Sequence, residues 1–133
     1  LRMPELVQEL AARYEADRAH GEHAVAVTMG DAQLVVEAMT SNWDLRIAYM
    51  TKGPDGQPVT ELAIRFFIDD AGSWIPYAMC RPQRGERRYA ELDLVQRKLT
   101  VTDTGNQRAL ADYCEIWAFY LREQGWLEKG VVA

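Results

Sequence analysis

Arginine residues concentrate in one short segment of this 133-residue chain. Six of the fifteen Lys and Arg residues fall within eighteen positions, namely Arg81, Arg84, Arg87, Arg88, Arg97 and Lys98. A guanidinium group presents a planar fork of donors that matches carboxylates and phosphates. Arg84, Arg87 and Arg88 surround the flexible pair Gly85-Glu86. We therefore predict an exposed loop whose guanidinium groups converge on one anion or acidic partner, with Arg81 extending the contact.

The overall charge of the chain argues against nucleic acid as that partner. Twenty Asp and Glu residues outweigh the fifteen Lys and Arg residues, which gives a formal net charge of −5. An acidic molecule repels a polyanion except at a local basic surface. Trp74, Tyr77 and Tyr89 lie near the arginines in sequence and offer surfaces on which bases could stack. Pairing with the chain's own acids is nevertheless the simpler interpretation, and nucleic acid remains an alternative.

The residue types that carry catalysis or bind metals do not form a recognisable site. The two histidines, His20 and His23, straddle a predicted helix end and strand start, so their side chains need not converge. A histidine at a helix C-terminus interacts favourably with the helix dipole without any metal. The carboxylate pair Asp69-Asp70 suits a turn. We therefore predict no catalytic residue, no metal site and no cofactor.

Aromatic side chains of the last predicted helix outnumber the positions that can be buried. They are Tyr113, Trp117, Phe119 and Tyr120, which cover more than one stripe of the helix. A helix lying on a sheet buries a stripe about 100° wide, so Trp117 enters the core and Tyr113 or Phe119 stays partly outside. Trp74 and Tyr77 join these two as candidate interface residues, either for a homodimer or for another protein partner.

The centre of the predicted fold is a hairpin from Thr60 to Cys80. Apolar residues alternate from Leu62 to Ile68, which is typical of a strand with one buried face. Asp69 to Gly72 has the composition of a turn. The second strand contains Pro76, which cannot donate a backbone hydrogen bond. We therefore predict either an edge strand or a strand that bends at Pro76.

The residues before this hairpin predict one helix and three strands. The helix runs from about Pro4 to His20, because apolar residues recur four apart through its first half. Strands follow at His23 to Met29, Leu34 to Met39 and Trp43 to Met50, with a turn at Gly30-Asp31 between the first two. The Gly- and Pro-rich segment Lys52 to Pro58 then forms a loop.

The residues after the arginine segment predict a second short hairpin and a long helix. Tyr89 to Val95 alternates and Leu99 to Thr102 is rich in β-branched residues, although a helix over Tyr89 to Lys98 is an alternative. Thr104 and Gln107 have the spacing of a capping box. Apolar residues then recur at helical spacing until Gly125, and Trp126 and Leu127 are placed to pack back on the helix. The residues at helical spacing are Leu110, Cys114, Trp117 and Leu121.

Together these elements predict an α+β fold in a single domain over residues 1–133. We expect a mainly antiparallel sheet of about five to seven strands, with an N-terminal and a C-terminal helix packed on one face. The hydrophobic content of 48% suffices for one core without disulfides. Cys80 and Cys114 lie in apolar surroundings, which predicts buried thiols in a reducing cytoplasm. No segment approaches the ~20 apolar residues that span a bilayer, so we expect no membrane association.

Several short motifs resemble an uncharacterised family of small proteins that are often carried by plasmids or mobile elements. They are Leu34-Val35-Val36-Glu37, Leu45 to Tyr49, the Gly53-to-Gly56 loop, Glu61 to Ile68, Gly72-Ser73-Trp74-Ile75-Pro76 and Leu121-Arg122-Glu123-Gln124-Gly125-Trp126. The resemblance covers about 90 residues and implies no catalytic residue. The chain departs from that family where Ala78 to Pro82 replaces an Asn-rich segment.

The order of elements is also similar to that of type III secretion chaperones, which are small, acidic and usually dimeric. The loop Lys52 to Pro58 stands where that family has a middle helix. Residues and resemblances together predict a non-enzymatic protein-interaction or regulatory module that works as a small oligomer. The alternatives are a nucleic-acid-contacting accessory protein of a mobile element, a secretion-chaperone-like protein and, last, a small hydrolytic enzyme.

Overall fold

The computed structural model describes residues 2–14, 24–39 and 41–132. Three helices and nine strands follow one another within these ranges. In chain order they are α1 (Arg2–Tyr14), β1 (Ala24–Met29), β2 (Ala32–Ala38), β3 (Asp44–Lys52), β4 (Pro58–Ile68), β5 (Trp74–Arg81), β6 (Gly85–Arg88), β7 (Ala90–Asp93), β8 (Lys98–Val101), α2 (Thr104–Glu123), α3 (Trp126–Lys129) and β9 (Val131–Val132). No helix among these residues is both long and apolar enough to cross a membrane.

The main sheet has seven strands in the order β6-β5-β4-β3-β2-β1-β9, and its neighbouring strands pair antiparallel. Most neighbours are joined by short turns, as the alternating apolar pattern and the turn residues predict. Gly30 and Gly72, for example, adopt φ of 62° and 82° in two of these turns. The α+β class and the antiparallel sheet are therefore confirmed.

Helices α1 and α2 cover one face of the main sheet. Leu6 and Leu10 of α1 and Leu110 and Trp117 of α2 are buried in the same cluster as Ile64 of β4. Trp126 follows the left-handed Gly125 (φ 89°) and is fully buried, which confirms that the segment after α2 packs back. The predicted placement of both helices on one sheet face is correct.

The hairpin β7–β8 forms a separate two-stranded sheet that covers one end of the opposite face. Its Ala90 is buried together with Phe67, Tyr77 and Ala78 of the main sheet. Arg97 in its turn fixes the hairpin, because Nη2 donates to the carbonyl of Ile68 at 3.2 Å and Cζ lies 5.6 Å from the centre of the Trp43 ring. The predicted strand pair is confirmed, and the alternative helix is not formed.

Strand β5 bends at Pro76, as one of the two predictions for this strand proposed. Phe66 lies opposite Pro76 and Arg65 lies opposite Ala78, so Tyr77 is an extra residue in a β-bulge. The bulge turns Tyr77 and Ala78 toward the same side, under the β7–β8 hairpin. Strand β5 is not an edge strand, because β6 pairs with its second half.

Four further expectations are corrected by the structure. Helix α1 begins at Arg2 rather than Pro4, and its predicted end at His20 lies outside the described residues. Asp103, not Thr104, caps α2 by accepting from the backbone N–H of Asn106. The Gln107 side chain donates instead to the Pro76 carbonyl. Arg81 to Arg88 is a strand end, a turn and strand β6 rather than a loop.

Candidate functional site

The four predicted contact arginines lie at one edge of the main sheet. Arg81 ends β5, Arg84 lies in the turn, and Arg87 and Arg88 belong to β6, which is the outermost strand on this side. All residues of β6 are exposed. We call Arg81 to Arg88 the β6 hairpin edge. Four arginines against Glu86 give it a formal charge of +3 in a chain whose net charge is −5.

The arginines of this edge do not all face the same way. Successive strand residues point to opposite faces, and Arg87 lies opposite Met79, which packs into the helix-side core. Arg87 therefore lies on the helix side, and Arg88 lies on the side of Tyr77 and Ala78. Arg87 and Arg88 therefore do not converge on one small anion, as was expected for a loop, because a strand points them to opposite faces.

The guanidinium groups differ in how they are held. The Nε of Arg88 donates to Glu86 at 2.9 Å, and this hydrogen bond is the main reason that the pKa of Arg88 is raised. Arg81 lies over the ring of Tyr113, with Cζ 5.7 Å from the ring centre. Arg84 and Arg87 form no ion pair with the residues that the structure describes, so they are the arginines most available to a ligand.

A groove of about 240 Å³ lies between β5 and α2, beside this edge. Its walls include Tyr89 and Tyr113, and Met79 and Leu110 also line it. The other aromatic residues expected to stack on bases are placed elsewhere. Tyr77 is fully buried, and Trp74 is half-buried against Phe66 at a ring separation of 5.6 Å. Tyr77 is therefore removed from the candidate interface.

The sequence did not predict a polar network beneath the β7–β8 hairpin. Asp44 is fully buried. Its Oδ1 accepts from the Tyr77 hydroxyl at 2.8 Å and its Oδ2 accepts from Nη2 of Arg65 at 2.7 Å. Burial, and then the hydrogen bond and charge of Asp44, raise the pKa of Tyr77 strongly, so the phenol stays protonated and donates. The network holds three strands together rather than presenting a reactive group.

Three arginines on the sheet face opposite the helices are each balanced by a carboxylate. Arg88, Arg65 and Arg46 lie in one row across β6, β4 and β3. Arg88 pairs with Glu86, Arg65 pairs with Asp44, and Nη1 of Arg46 lies 3.0 Å from Oε1 of Glu37. The row is thus locally neutral. It does not supply the uncompensated positive charge that attracts a nucleic-acid backbone.

Helix α2 exposes a second candidate surface, which we call the α2 patch. It consists of Ile116, Phe119 and Tyr120, whose exposed fractions are 54%, 44% and 58%. The Phe119 and Tyr120 rings meet edge to face at 6.0 Å. Arg2 lies over the Phe119 ring at 5.2 Å, and its backbone nitrogen lies 3.1 Å from the Glu115 carboxylate. Phe119 was predicted at an interface; Ile116 was missed because a lone helical Ile carries no such signal.

The remaining predicted residues add no chemistry to these surfaces. His20 and His23 lie outside the described residues. Within the described residues, no three His, Cys, Asp or Glu side chains are placed to hold a metal ion. Burial raises the pKa of the Cys114 thiol to about 12, so it stays protonated and unreactive. Cys80 is half-buried rather than buried, and neither cysteine is in a disulfide.

Comparison with known proteins adds no assignment to this picture. A scan against protein-family models, a search of curated proteins and a search of solved structures each found no match. The geometry of the β6 hairpin edge and of the α2 patch therefore carries the functional argument.

Proposed function

We propose that this protein is a non-enzymatic interaction module that works as a homodimer, joined through the α2 patch. The observation that carries the proposal is the exposure of three large apolar side chains on adjacent turns of one helix: Ile116, Phe119 and Tyr120. Contiguous exposed apolar surface of this kind marks an interaction site in a water-soluble domain. Aromatic residues are also enriched at the centres of protein interfaces.

The charges around this patch are partly balanced within the chain. Arg2 contacts Glu115, and Nη1 of Arg122 lies 2.6 Å from Oε2 of Glu9 on the neighbouring α1. The two arginines are thus matched by Glu115 and Glu9 on the α1 side of the patch, whereas exposed Asp112 and Glu123 lie one helical turn before Ile116 and one turn after Phe119. A two-fold axis through one helix face also lets the same patch serve both subunits.

The same observations weigh against the alternative functions. A nucleic-acid accessory protein needs a continuous basic surface, whereas the row of arginines on the sheet face opposite the helices is neutral and the excess of arginine is confined to one short edge. Free Cys80 and Cys114 suit a compartment in which thiols stay reduced, such as the cytoplasm. We retain that compartment as part of the proposal.

The test is the mass of the particle in solution as a function of concentration. We expect the unmodified protein to sediment as a dimer and the variant with both Ile116→Ser and Tyr120→Ser to shift toward monomer. Its dimer dissociation constant should rise at least about tenfold, because interface side chains of this size contribute ~1 kcal/mol or more each. Both positions are exposed, so the melting temperature of the monomer should change little.

Val95→Ser is the matched control, because Val95 is 96% exposed but lies in the β7–β8 turn, away from α2. This variant should dimerise like the parent protein. A parent protein that stays monomeric at every concentration contradicts the proposal. A dimer that survives the double substitution contradicts the assignment of the α2 patch.

A further inference from the structure

We infer that the β6 hairpin edge binds an extended, acidic peptide segment of a partner protein, which adds to the main sheet as a further strand beside β6. This surface is separate from the α2 patch, and the inference does not depend on the proposed homodimer. It rests on three observations: a free strand edge, the direction of its backbone groups and the placement of its arginines.

The first observation is that β6 has a partner on one side only among the described residues. It pairs with β5 through Gly85 to Arg88 and ends the strand order of the main sheet. All four residues are exposed. An edge of this kind carries backbone N–H and C=O groups that another strand can pair with. Peptide recognition by strand addition uses such edges.

The second observation concerns which backbone groups point outward. The N–H of Tyr89 donates to the Tyr77 carbonyl at 2.8 Å. Hydrogen-bonded and non-hydrogen-bonded pairs alternate along an antiparallel ladder, so Arg87 and Gly85 bond inward to β5. The N–H and C=O groups of Glu86 and Arg88 then point away from β5, toward the space that a new strand would occupy.

The third observation identifies the chemistry of the partner. Arg87 lies on the helix side of the edge and Arg88 on the opposite side, while Arg84 lies in the adjoining turn. Successive residues of an added strand also face opposite sides. Two consecutive acidic residues would therefore place one carboxylate beside Arg87 and the next beside Arg88. Charge-assisted hydrogen bonds of this type are stronger than neutral ones.

Charge also decides between a partner peptide and a second copy of this chain. The edge carries a formal charge of +3, so two such edges side by side would repel each other. A short charged edge also prevents aggregation, and charges of either sign would serve that purpose. Four arginines of one sign, three of them without an ion-pair partner among the described residues, suit an acidic ligand better.

Fluorescence anisotropy with three labelled peptides tests the inference. We expect the extended peptide Thr-Val-Glu-Glu-Val-Thr to bind and its Lys-Lys counterpart not to bind. The third peptide, Thr-Pro-Glu-Glu-Pro-Thr, keeps the charges but cannot form a strand ladder, so it should bind at least about tenfold more weakly. Equal binding of the Glu-Glu and proline peptides means simple anion attraction and overturns strand addition, as does no binding of the Glu-Glu peptide.

Amide hydrogen exchange supplies a readout that charge attraction alone would not move. Bound Glu-Glu peptide should slow exchange at Glu86 and Arg88 and leave Gly85 and Arg87 nearly unchanged. If the amides of Glu86 and Arg88 are already protected in the protein without peptide, a second copy occupies the edge and the inference is wrong.

Variants locate the site on the protein. The double variant Arg84→Ala and Arg87→Ala should bind the Glu-Glu peptide at least about tenfold more weakly. The variant protein should stay folded, because both side chains are exposed. Arg108→Ala is the matched control, since Arg108 is an exposed arginine on α2, and it should bind like the parent protein. If Arg108→Ala weakens peptide binding as much as the double variant does, the site lies elsewhere.

Discussion

Asp44 shows how one buried charge can be accommodated in a small fold. A buried carboxylate is costly unless it is paired and hydrogen-bonded. Here one oxygen accepts from the Tyr77 hydroxyl and the other from the Arg65 guanidinium, at 2.8 and 2.7 Å. The arrangement joins β3, β4 and β5 below the β7–β8 hairpin. It depends on Tyr77 staying protonated, which burial and the neighbouring Asp44 ensure by raising its pKa.

Tyr77→Phe tests this network at the level of one hydroxyl group. The substitution keeps the ring but leaves Asp44 with one donor fewer, so we expect a loss of ~1–3 kcal/mol in the free energy of unfolding. Urea denaturation measures the loss. Tyr49→Phe is the control, because the Tyr49 ring packs edge-on against Trp126 at 6.1 Å and its hydroxyl bonds to none of the described residues. Equal effects of the two substitutions would mean that the Tyr77 hydroxyl contributes no special stability.

The network also shows what a sequence leaves undetermined at single residues. The alternation of apolar residues along β3 and β4 is consistent with Asp44 and Arg65 on the face away from the helices, where the structure has them. Nothing in the alternation indicates that a second hairpin covers that end of the face, so Asp44 had the appearance of a solvent-facing residue. Tyr77 was predicted to be an interface residue. The β-bulge that turns it under the β7–β8 hairpin depends on pairing between strands and leaves no local signal.

At the level of elements, local patterns predicted most strands and both main helices, because each has a periodic apolar face. Strand β6 was missed, since Gly85-Glu86-Arg87-Arg88 has no apolar alternation and is ordered by its pairing with β5. Helix α2 was predicted to begin one residue late because Asp103 and Thr104 are both residue types that cap helices. The candidate surfaces were predicted only in part. The sequence named Phe119 and the arginines, but it did not predict which side of the structure each of these side chains faces.

The end of α1 and the chain's C-terminal segment are joined by one phenol. The hydroxyl of Tyr14 lies within 3.1 Å of the carbonyl oxygens of Trp126, Leu127 and Gly130. Gly130 packs so closely that a Cβ at this position would collide with Val27 Cγ1 and approach the Trp126 carbonyl oxygen to 2.7 Å. The segment around α3 therefore fits only with glycine at position 130.

Gly130→Ala should destabilise the protein by ~1–3 kcal/mol, because the added methyl group overpacks this junction. Gly105→Ala is the matched control: a Cβ at Gly105, in the first turn of α2, meets no atom within 4 Å. Alanine is the better helix former, so this variant should be unchanged or up to ~1 kcal/mol more stable. Thermal unfolding of the two variants side by side measures the difference. A Gly130→Ala protein as stable as its control would show that the segment does not pack against Val27.

At the level of the whole molecule, each face of the main sheet buries a weakly acidic side chain, a thiol or a phenol, that stays protonated. Cys114 lies in the core between the sheet and the helices, where burial raises its pKa to about 12. Tyr77 lies in the smaller core under the β7–β8 hairpin, where its pKa is raised as well. Both groups ionise more readily in the unfolded chain than in the folded protein, so alkaline pH favours unfolding from both sides of the sheet.

The stability of the protein should therefore fall as the pH rises above about 9. Between that pH and about 12 the unfolded chain loses the Cys114 proton while the folded protein keeps it, so the folded state binds more protons and is progressively disfavoured. One such group contributes a slope of at most about 1.4 kcal/mol per pH unit.

Urea denaturation across this range should give a shallower slope for Cys114→Ala from about pH 9. Tyr77→Phe should flatten the curve only above about pH 10, where an unfolded tyrosine ionises. Because the two groups lie in separate cores, the effects of the substitutions should add. A Cys114→Ala variant with the slope of the parent protein would mean that the thiol ionises in the folded state, which is incompatible with the burial of this face of α2 against the sheet.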